Sequence, residues 1–467
     1  MRISTIRNKL LTAAFWLLVW QIIAIAVGKE VLVPSPYRTL LCVIEMIRTG
    51  TFYLDAAATI LRCAAGIILS FAVGVLTAIL SYRSAFVREL LSFPVLVFKS
   101  TPVIGIILFL ILLLASGQVP VCVCFLMCYP VVYTNILSGL DNLDGEQLEM
   151  VRMYKVKSSL IIRRLYIPSV MPEIAASLNL IAGLSWKTVV TAEVFAVPSF
   201  SMGYNLLSAK SYLETDRLFA WIIAIVLFSI AFEKVIQKGL SILSPREYTG
   251  SRIIKTPLRD TEASGEPAPR TAVEIELAGV CKTFGEKTVL ENADLRFKGG
   301  KTTVLMGPSG VGKTTVLRIV AGLERCDSGE VRGTSGQQIS FLFQEDRLLP
   351  WLSLYDNIAL VLKGRLAPRE IDGEIRKALD FLALSDSAQK LPPQLSGGMK
   401  RRAAMARAFL FPAQILLLDE PYKGLDRELK DSVATAMLRD YTAGKTVILV
   451  THDPEEAAKY ADETVRL

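Results

Sequence analysis

Long apolar runs dominate the first half of this chain and restrict its possible folds more than any other feature. A helix needs about 20 mostly apolar residues to cross the hydrocarbon core of a bilayer, and runs of roughly this kind recur before residue 245. The third run is short, and the segment before it is interrupted by Pro94, Lys99 and Pro102. We predict about six membrane-spanning helices, at Leu10–Val27, Thr59–Leu80, Val103–Ser116, Val119–Leu137, Ile174–Val197 and Leu218–Ile236.

Composition and charge agree with a membrane protein. Hydrophobic residues make up 52% of the 467 residues, which is high for a soluble enzyme. Lys and Arg precede the first predicted span and also follow the second and the fourth. The positive-inside bias therefore places both termini in the cytoplasm. We assign the net charge of +8 to cytoplasmic loops and not to nucleic-acid binding, because the chain has no arginine-rich tract with interleaved aromatic residues.

The chain changes character near residue 245. Residues 246–272 contain Pro, Gly, Ser, Thr and charged residues without periodicity, which is typical of a linker. The residues that follow have the composition of a soluble α/β protein. We therefore predict a transmembrane domain over 1–245, a linker over 246–272 and a soluble domain over 273–467.

A phosphate-binding motif lies early in the soluble half. The segment GPSGVGKT follows a predicted strand and precedes a helical run, as the G-x-x-x-x-G-K-[ST] motif requires. Backbone N–H groups of such a loop point at phosphate oxygens, and the next helix adds the positive end of its dipole. We expect Lys313 to reach the β- and γ-phosphates and Thr314 to offer its hydroxyl to Mg²⁺. The predicted loop residues are Gly307, Pro308, Ser309, Gly310, Val311, Gly312, Lys313, Thr314 and Thr315.

Two carboxylates follow another predicted strand. The continuous apolar run ILLL is typical of a buried parallel strand, and it ends at Asp419 and Glu420. We expect Asp419 to hold Mg²⁺ through water and Glu420 to orient the attacking water as a general base. Gln344 ends a third strand-like segment.

A second anion site is predicted where a basic helix begins. Ser396, Gly397 and Gly398 open that helix, and Ser and Gly at a helix N-terminus are typical of anion binding. The next residues, Lys400–Arg402, are compatible with a solvated basic face.

These motifs occur in the order and rough spacing of ATP-binding-cassette (ABC) ATPases, and residues 273–467 resemble that family. The phosphate loop, Gln344 and the segments LSGGM, LLLDE, GLD and THD carry the resemblance. It implies that ATP and Mg²⁺ are cofactors. The implied catalytic residues are Lys313, Gln344, Glu420 and His452, and the implied metal ligands are Thr314, Gln344 and Asp419.

The resemblance also implies a head-to-tail dimer of cassettes. Each ATP would lie between the phosphate loop of one copy and the residues Ser396 and Gly398 of the other, with Asp426 at the interface. Phe284 matches the aromatic residue that stacks on adenine. Met399 stands where the family usually has Gln, so we expect slightly altered dimer contacts.

His452 is the one histidine of the chain. It follows the predicted strand TVILV and precedes a helix, which places it at the sheet edge that holds the phosphate loop and Glu420. An imidazole there can hydrogen-bond the γ-phosphate. We therefore interpret His452 as a switch residue of the ATPase and not as a core histidine.

The first half, over Leu10–Leu243, resembles type I permeases of ABC importers for nitrate, sulfonate, taurine and bicarbonate. The segments VLVPSPYRTL, LLSFPVLVFKSTPVIGI, GLSWKTVVTAEVFAVPSFSMGYNL and FAWIIAIVLFSIAFEKV carry this resemblance. The loop after the fourth span resembles their cytoplasmic coupling loop, where Glu149 and Pro168 match and Lys155 replaces a glycine. The resemblance implies a homodimer of fused half-transporters and an extracytoplasmic solute-binding protein.

Two charged residues lie in the fifth predicted span. Ionisable residues within a membrane helix are candidates for function by default. Lys187 lies deep in the bilayer, where it either lines an anion pathway or pairs with another helix, whereas Glu193 is near the outer end and is expected to be hydrated.

Together these features predict an α-helical membrane domain followed by an α/β P-loop NTPase domain of ABC type. The predicted protein lies in the cell membrane, in contact with lipid, with its ATPase domain in the cytoplasm. The predicted function is ATP-driven import of a small anionic solute. The alternatives are an exporter half-transporter and a non-transporting membrane ATPase or sensor, and intact Glu420 and His452 argue against a purely regulatory cassette.

Overall fold

A computed structural model of the chain describes residues 2–243, 272–424, 430 and 440–467. They form two compact units, the first within Met1–Asn142 and Ser169–Arg246 and the second within Leu143–Pro168 and Glu247–Leu467. The segment Leu143–Pro168 therefore belongs by its contacts to the second unit, although it lies within the first half of the sequence. The expected linker, apart from Ala272, lies outside the described residues.

Eleven helices precede residue 244 in the described part of the chain. Two of them, α7 and α8, belong to the second unit, and a π-helical turn at Ile162–Tyr166 connects α8 to α9. The helices are α1 (Arg2–Val27), α2 (Pro36–Arg48), α3 (Gly50–Arg83), α4 (Ala85–Ser100), α5 (Val103–Leu113), α6 (Val119–Asp141), α7 (Gly145–Met153), α8 (Ser158–Ile161), α9 (Ile167–Ala196), α10 (Met202–Ser211) and α11 (Thr215–Leu243).

Four described helices are long and apolar enough to cross a membrane: α3, α6, the continuous helix Ser158–Ala196 and the stretch Thr215–Ser241 of α11. The first and third predicted spans differ from expectation. The apolar stretch Leu11–Val27 of α1 is shorter than a full span, and α5 approaches one only together with α4, from which it is bent by 105°. The bend falls at Thr101, whose backbone is extended, because a residue before proline is disfavoured in the α conformation.

Small residues bring α3 and α6 close together. A Cβ atom built on Gly66 would lie 2.5 Å from Cys124 Sγ, and one on Gly74 would lie 2.8 Å from Val132 Cγ1. Glycine is favoured at such positions because small residues let the backbones of two membrane helices approach closely, which increases van der Waals packing between them.

The described residues of the second unit form two sheets. Their strands are β1 (Ile275–Phe284), β2 (Lys287–Phe297), β3 (Thr302–Met306), β4 (Ser328–Arg332), β5 (Ile339–Leu342), β6 (Ile415–Asp419), β7 (Thr446–Val450) and β8 (Glu463–Arg466). Three of them form an antiparallel sheet in the order β2-β1-β4. The other five form a parallel sheet in the order β5-β6-β7-β3-β8.

Helices cover the parallel sheet. Every residue of β6 and β7 is buried, which explains why these strands are continuous apolar runs and do not alternate. The predicted α/β architecture of the second half is thus confirmed. The α-helices in the described part of this half are α12 (Lys313–Val320), α13 (Leu354–Leu362), α14 (Pro368–Phe381), α15 (Gly397–Leu410) and α16 (Pro454–Tyr460).

Candidate nucleotide-binding site

The register of the parallel sheet brings the predicted motifs together. Val450 at the end of β7 pairs with Asp419 of β6 on one side and with Leu305 of β3 on the other. The residues that follow these three strands therefore leave the sheet side by side. They belong to the phosphate loop, to the Asp419–Glu420 pair and to the His452 segment, and this edge is where α/β proteins bind ligands.

The phosphate loop has the backbone shape that its sequence predicts. Gly312 precedes α12 with φ of 110°, a conformation that side chains disfavour, and a Cβ there would lie 2.9 Å from Leu290 Cδ2. Lys313 is buried and its ammonium donates to the carbonyl oxygens of Gly307 and Pro308 at 2.8 Å each. Burial lowers the pKa of Lys313, against the opposing charges of Glu420 and Asp419.

Thr314 and Asp419 meet beside the loop. The Thr314 hydroxyl donates to Asp419 Oδ2 at 2.8 Å. Burial raises the pKa of Asp419, although the hydrogen bond from Thr314 opposes that shift. Hydroxyl and carboxylate oxygens are the hard ligands that Mg²⁺ prefers, so this pair fits the predicted magnesium site.

Glu420 lies between two basic side chains. Its Oε1 is 2.9 Å from Nε2 of His452, and its Oε2 is 3.0 Å from Nζ of Lys423. Glu420 also has φ of 46°, an uncommon value for a residue other than glycine, and strained backbone of this kind is concentrated at functional sites.

One open cleft of about 430 Å³ collects most of the predicted nucleotide-binding residues. Gly307, Pro308 and Val311 shape the loop without lining the cleft. The lining residues are Phe284, Val289, Ser309, Gly310, Gly312, Lys313, Thr314, Thr315, Gln344, Asp419, Glu420, Val450 and His452.

The signature residues lie outside this cleft. Ser396 is the N-cap of α15, where its hydroxyl accepts a hydrogen bond from the Met399 amide at 3.3 Å. Gly397 and Gly398 form the first turn of that helix. Asp426, predicted at the dimer interface, falls outside the described residues.

The solvated face considered as an alternative for Lys400–Arg402 does not include Arg401. Its side chain is buried, with 4% of its surface exposed, and it donates to five backbone carbonyl oxygens. Arg407, farther along α15, is also buried and binds the carbonyl oxygens of Asp346 and Arg347 at 2.8 Å each. The burial of Arg401 and Arg407 is not evident from the basic run in the sequence.

The predicted coupling loop packs against the nucleotide-binding part of the second unit. Two arginines hold Glu149: Arg347 donates to Oε2 at 2.6 Å, and Arg318 donates to both carboxylate oxygens. Burial alone would raise the pKa of Glu149, but the hydrogen bonds and charges of Arg318 and Arg347 outweigh it and lower that pKa. Lys155 has φ of 48° and is exposed, so it occupies the left-handed conformation in which glycine is favoured.

Aromatic residues complete the packing of this loop. Tyr154 is fully buried, donates to the Phe341 carbonyl at 3.0 Å and meets the ring of Phe411 edge-on. Trp351 donates to the Arg164 carbonyl at 2.6 Å. Pro168, the last residue of the segment, lies in the first turn of α9.

In the first unit, the expected hydration of Glu193 is wrong. Glu193 is fully buried and receives hydrogen bonds from Arg62 at 2.7 Å, from Thr59 at 3.0 Å and from the Gly203 amide at 3.1 Å. Lys187 is exposed on α9 and forms no ion pair with any residue that the structure describes. Arg62 lies inside the second predicted span, and a charged residue at that position of the sequence was the sign that Glu193 has a partner within the membrane half.

Comparison with known proteins agrees with this arrangement. Residues 70–244 match the family described as binding-protein-dependent transport system inner membrane component, and residues 290–423 match the ABC transporter family. The aliphatic sulfonates import ATP-binding protein SsuB 2 of Pseudomonas fluorescens is 38% identical over 211 residues, which cover 43% of this chain and 77% of that protein.

This chain belongs to the ABC transporter family.

The predicted fusion of a permease with an ABC domain is confirmed. The apolar helices and the permease match make the chain a multi-pass membrane protein, with its ABC domain as the cytoplasmic part. The sulfate/thiosulfate import ATP-binding protein CysA of Vibrio vulnificus is 37% identical over 208 residues, or 41% of this chain, and the chain spans 60% of its length. Among solved structures, the dimeric bacterial ABC transporter cassette MJ0796 has a TM-score of 0.38 and 31% identity, over 41% of this chain and 94% of that one.

Proposed function

We propose that this chain is a half-transporter that hydrolyses ATP to import a small anionic solute. The observation that carries the proposal is the position of Glu149. This residue lies on the loop between two membrane-spanning helices, and its carboxylate binds Arg318 of α12, the helix that begins at the phosphate loop. The same carboxylate binds Arg347, three residues after Gln344. A change at the nucleotide is thereby passed to the loop of the permease.

The cleft supplies the groups that ATP hydrolysis needs. Lys313 and the loop amides bind the phosphates. Thr314 and Asp419 would hold Mg²⁺, which would neutralise phosphate charge when bound. Glu420 accepts the proton of the attacking water, since its carboxylate lines the same cleft. His452 orients that carboxylate through its 2.9 Å contact and reaches the γ-phosphate.

Two copies of the chain form the transporter in this proposal. Ser396 and Gly398 lie outside the cleft of their own chain, as expected if they contact ATP held by a second copy. One permease and one cassette make half of a symmetric transporter, so a homodimer supplies the other half. Phe284 is half exposed at the cleft, where its ring is available for stacking on adenine.

The matched permease family and the named relatives of the ABC domain support the proposed direction of transport and class of solute. The permease family that matches is named for transport that depends on a binding protein, and the relatives named above import sulfonates or sulfate. Lys187 is a cation deep in α9 without a carboxylate partner among the described residues, and facing lipid would be costly for it. We therefore propose that Lys187 faces the pathway of an anion that an extracytoplasmic binding protein delivers.

The purified chain in lipid nanodiscs tests this function. We expect its ATPase activity to rise when extracytoplasmic protein from the source cells is added together with a mixture of sulfate, nitrate and alkanesulfonates. The same fraction without the anions is the control. An ATPase that responds to neither addition, or that responds to apolar compounds on the cytoplasmic side, would contradict the importer and favour an exporter.

A further inference from the structure

Arg401 has an unusual set of partners. A guanidinium group has five N–H donors in one plane, and Arg401 contacts five different backbone carbonyl oxygens with them. Its Nη2 donates to Asp419 and Glu420 at 2.6 and 2.7 Å. Its Nη1 donates to Phe343 and Gln344 at 2.5 and 3.2 Å. The fifth donor, Nε, reaches the carbonyl of Pro421 at 3.2 Å.

These carbonyls belong to two separate segments of the nucleotide-binding site. Phe343 and Gln344 directly follow β5. Asp419 is the last residue of β6, and the candidate general base Glu420 and Pro421 follow it. Both Gln344 and Glu420 line the cleft. The strands β5 and β6 are neighbours in the sheet, so one side chain is able to bridge the loops that leave them.

The helix that carries Arg401 begins at the signature residue Ser396. About one and a half turns separate Ser396 from Arg401 along α15, and a helix transmits a displacement over that distance as a rigid body. Arg407 extends the contact, because it holds the carbonyls of Asp346 and Arg347 in the segment after Gln344. Arg347 in turn binds Glu149.

We propose that Arg401 is a positioning residue for ATP hydrolysis, which fixes the backbone of Gln344 and of Glu420 to the signature helix α15. When Ser396 engages a nucleotide held by a second copy, the guanidinium moves both loops together and aligns the carboxylate of Glu420. The left-handed φ of 46° at Glu420 persists because its carbonyl is held from outside the strand. This inference rests on the proposed ATPase function.

Lysine is not able to replace this group. An ammonium has three donors around one nitrogen and lacks the planar fork that reaches both loops at once. Among the described residues, Asp346 is the carboxylate within 4.0 Å of the Arg401 guanidinium, at 3.6 Å. The Arg401→Lys variant therefore keeps the positive charge but removes the bridge between the loops.

The experiment compares Arg401→Lys with Arg402→Lys in the full-length protein in nanodiscs. Arg402 is the neighbouring residue on α15, but its Nη1 donates to the carbonyl oxygens of Leu382 and Ala383, which belong to neither loop, and this makes it a matched control. For Arg401→Lys we expect kcat for ATP hydrolysis to fall at least tenfold, with KM and the ATP dissociation constant within about twofold of wild type. For Arg402→Lys we expect kcat within about twofold of wild type.

Three outcomes would overturn the proposal. One is an unchanged kcat in Arg401→Lys. Another is a parallel loss of kcat, ATP affinity and melting temperature, which is the mark of a purely structural arginine. The third comes from amide hydrogen exchange of the wild-type chain, which does not depend on how a variant folds. We expect ATP and vanadate to protect the amides of residues 343–347 and of residues 419–420 together. Protection of one of these two segments without the other would show that Arg401 does not couple them. A wild-type chain without ATPase activity would instead refute the proposed function.

Discussion

His452 Nε2 lies 2.9 Å from Glu420 Oε1, across the ends of two neighbouring strands of the parallel sheet. Both side chains line the cleft that contains Lys313 and Thr314. A carboxylate next to a phosphate site is able to accept a proton from water, and an imidazole in contact with it fixes the direction in which it points. This contact links the one histidine of the chain to the proposed chemistry.

Replacing His452 with Ala should separate nucleotide binding from turnover. The phosphate loop and the Thr314–Asp419 pair stay intact in this variant, so we expect ATP affinity within about threefold of wild type. Turnover should fall by roughly 10²-fold, the lower end of what positioned proton-transfer groups contribute. ATP binding by fluorescence and ATPase rates at saturating ATP measure the two quantities, and an unchanged turnover would show that His452 has no catalytic role.

Replacing Asp419 with Asn should strongly reduce magnesium-dependent activity without unfolding the protein. The Asp419→Asn variant keeps the size of the side chain and an oxygen that accepts from Thr314, but it loses the charge that holds the metal. Because burial raises the pKa of Asp419, the wild-type carboxylate also takes up a proton at a higher pH than an ordinary aspartate. We therefore expect the magnesium concentration for half-maximal ATPase activity of wild type to rise as the pH falls. Magnesium titrations at several pH values measure this, and the residual activity of the variant should show no such dependence of the half-maximal magnesium concentration on pH.

Replacing Glu149 with Gln should uncouple basal ATPase activity from its stimulation by solute. The neutral side chain no longer pairs with Arg318 and Arg347, so we expect basal ATPase activity to remain within about threefold while solute-stimulated activity is lost. An equal loss of both activities would contradict a role in coupling.

The pH dependence of stability provides a second measurement on Glu149. Its pKa is lower in the folded protein than the ordinary value of 4.5, so its stabilising contribution is complete above that value and disappears as the pH falls through the lowered pKa. The melting temperature of wild type should therefore exceed that of Glu149→Gln at pH 6, and the difference should shrink below pH 4.5. A difference that stays constant down to pH 3 would show that the carboxylate does not contribute through its charge.

Loss of the buried ion pair between Arg62 and Glu193 should destabilise the protein far more than loss of an exposed ion pair. Glu193→Ala leaves a mostly buried guanidinium without its counterion, which typically destabilises a protein by about 3–5 kcal/mol. The control is Asp141→Asn, because Asp141 pairs with Arg88 at 2.6 Å while both side chains are more than 40% exposed. Exposed pairs contribute about 0–1 kcal/mol. Denaturation midpoints in detergent compare the two variants, and equal shifts would contradict the assigned difference in burial.

The nucleotide site was predictable because its residues lie directly after strands. The phosphate loop, Asp419 and His452 each follow an apolar run, and parallel strands bring such positions to one edge of a sheet whatever the order of the strands. The local pattern of an apolar run followed by polar residues was sufficient to predict this site. The contact between Thr314 and Asp419 and the cleft that contains Gln344 follow from that placement.

The partners of Glu149, Glu193 and Arg401 were not predictable in the same way. Glu149 meets arginines 169 and 198 residues away, and Glu193 meets one 131 residues away, so neither pair leaves a local pattern. Arg401 follows another basic residue in a run that looks like a solvated surface. Arg401 is buried because it binds backbone carbonyl oxygens, and the positions of these oxygens do not follow from the residue types in the sequence.

Uptake by proteoliposomes tests the central claim most directly. Vesicles that contain the wild-type chain, with ATP and Mg²⁺ inside and solute-loaded extracytoplasmic protein outside, should accumulate labelled anion. Vesicles with Glu420→Gln should bind ATP and accumulate no anion above the level without ATP. Equal uptake by the two proteins would contradict import driven by hydrolysis at this cleft, and so would the absence of uptake by wild type.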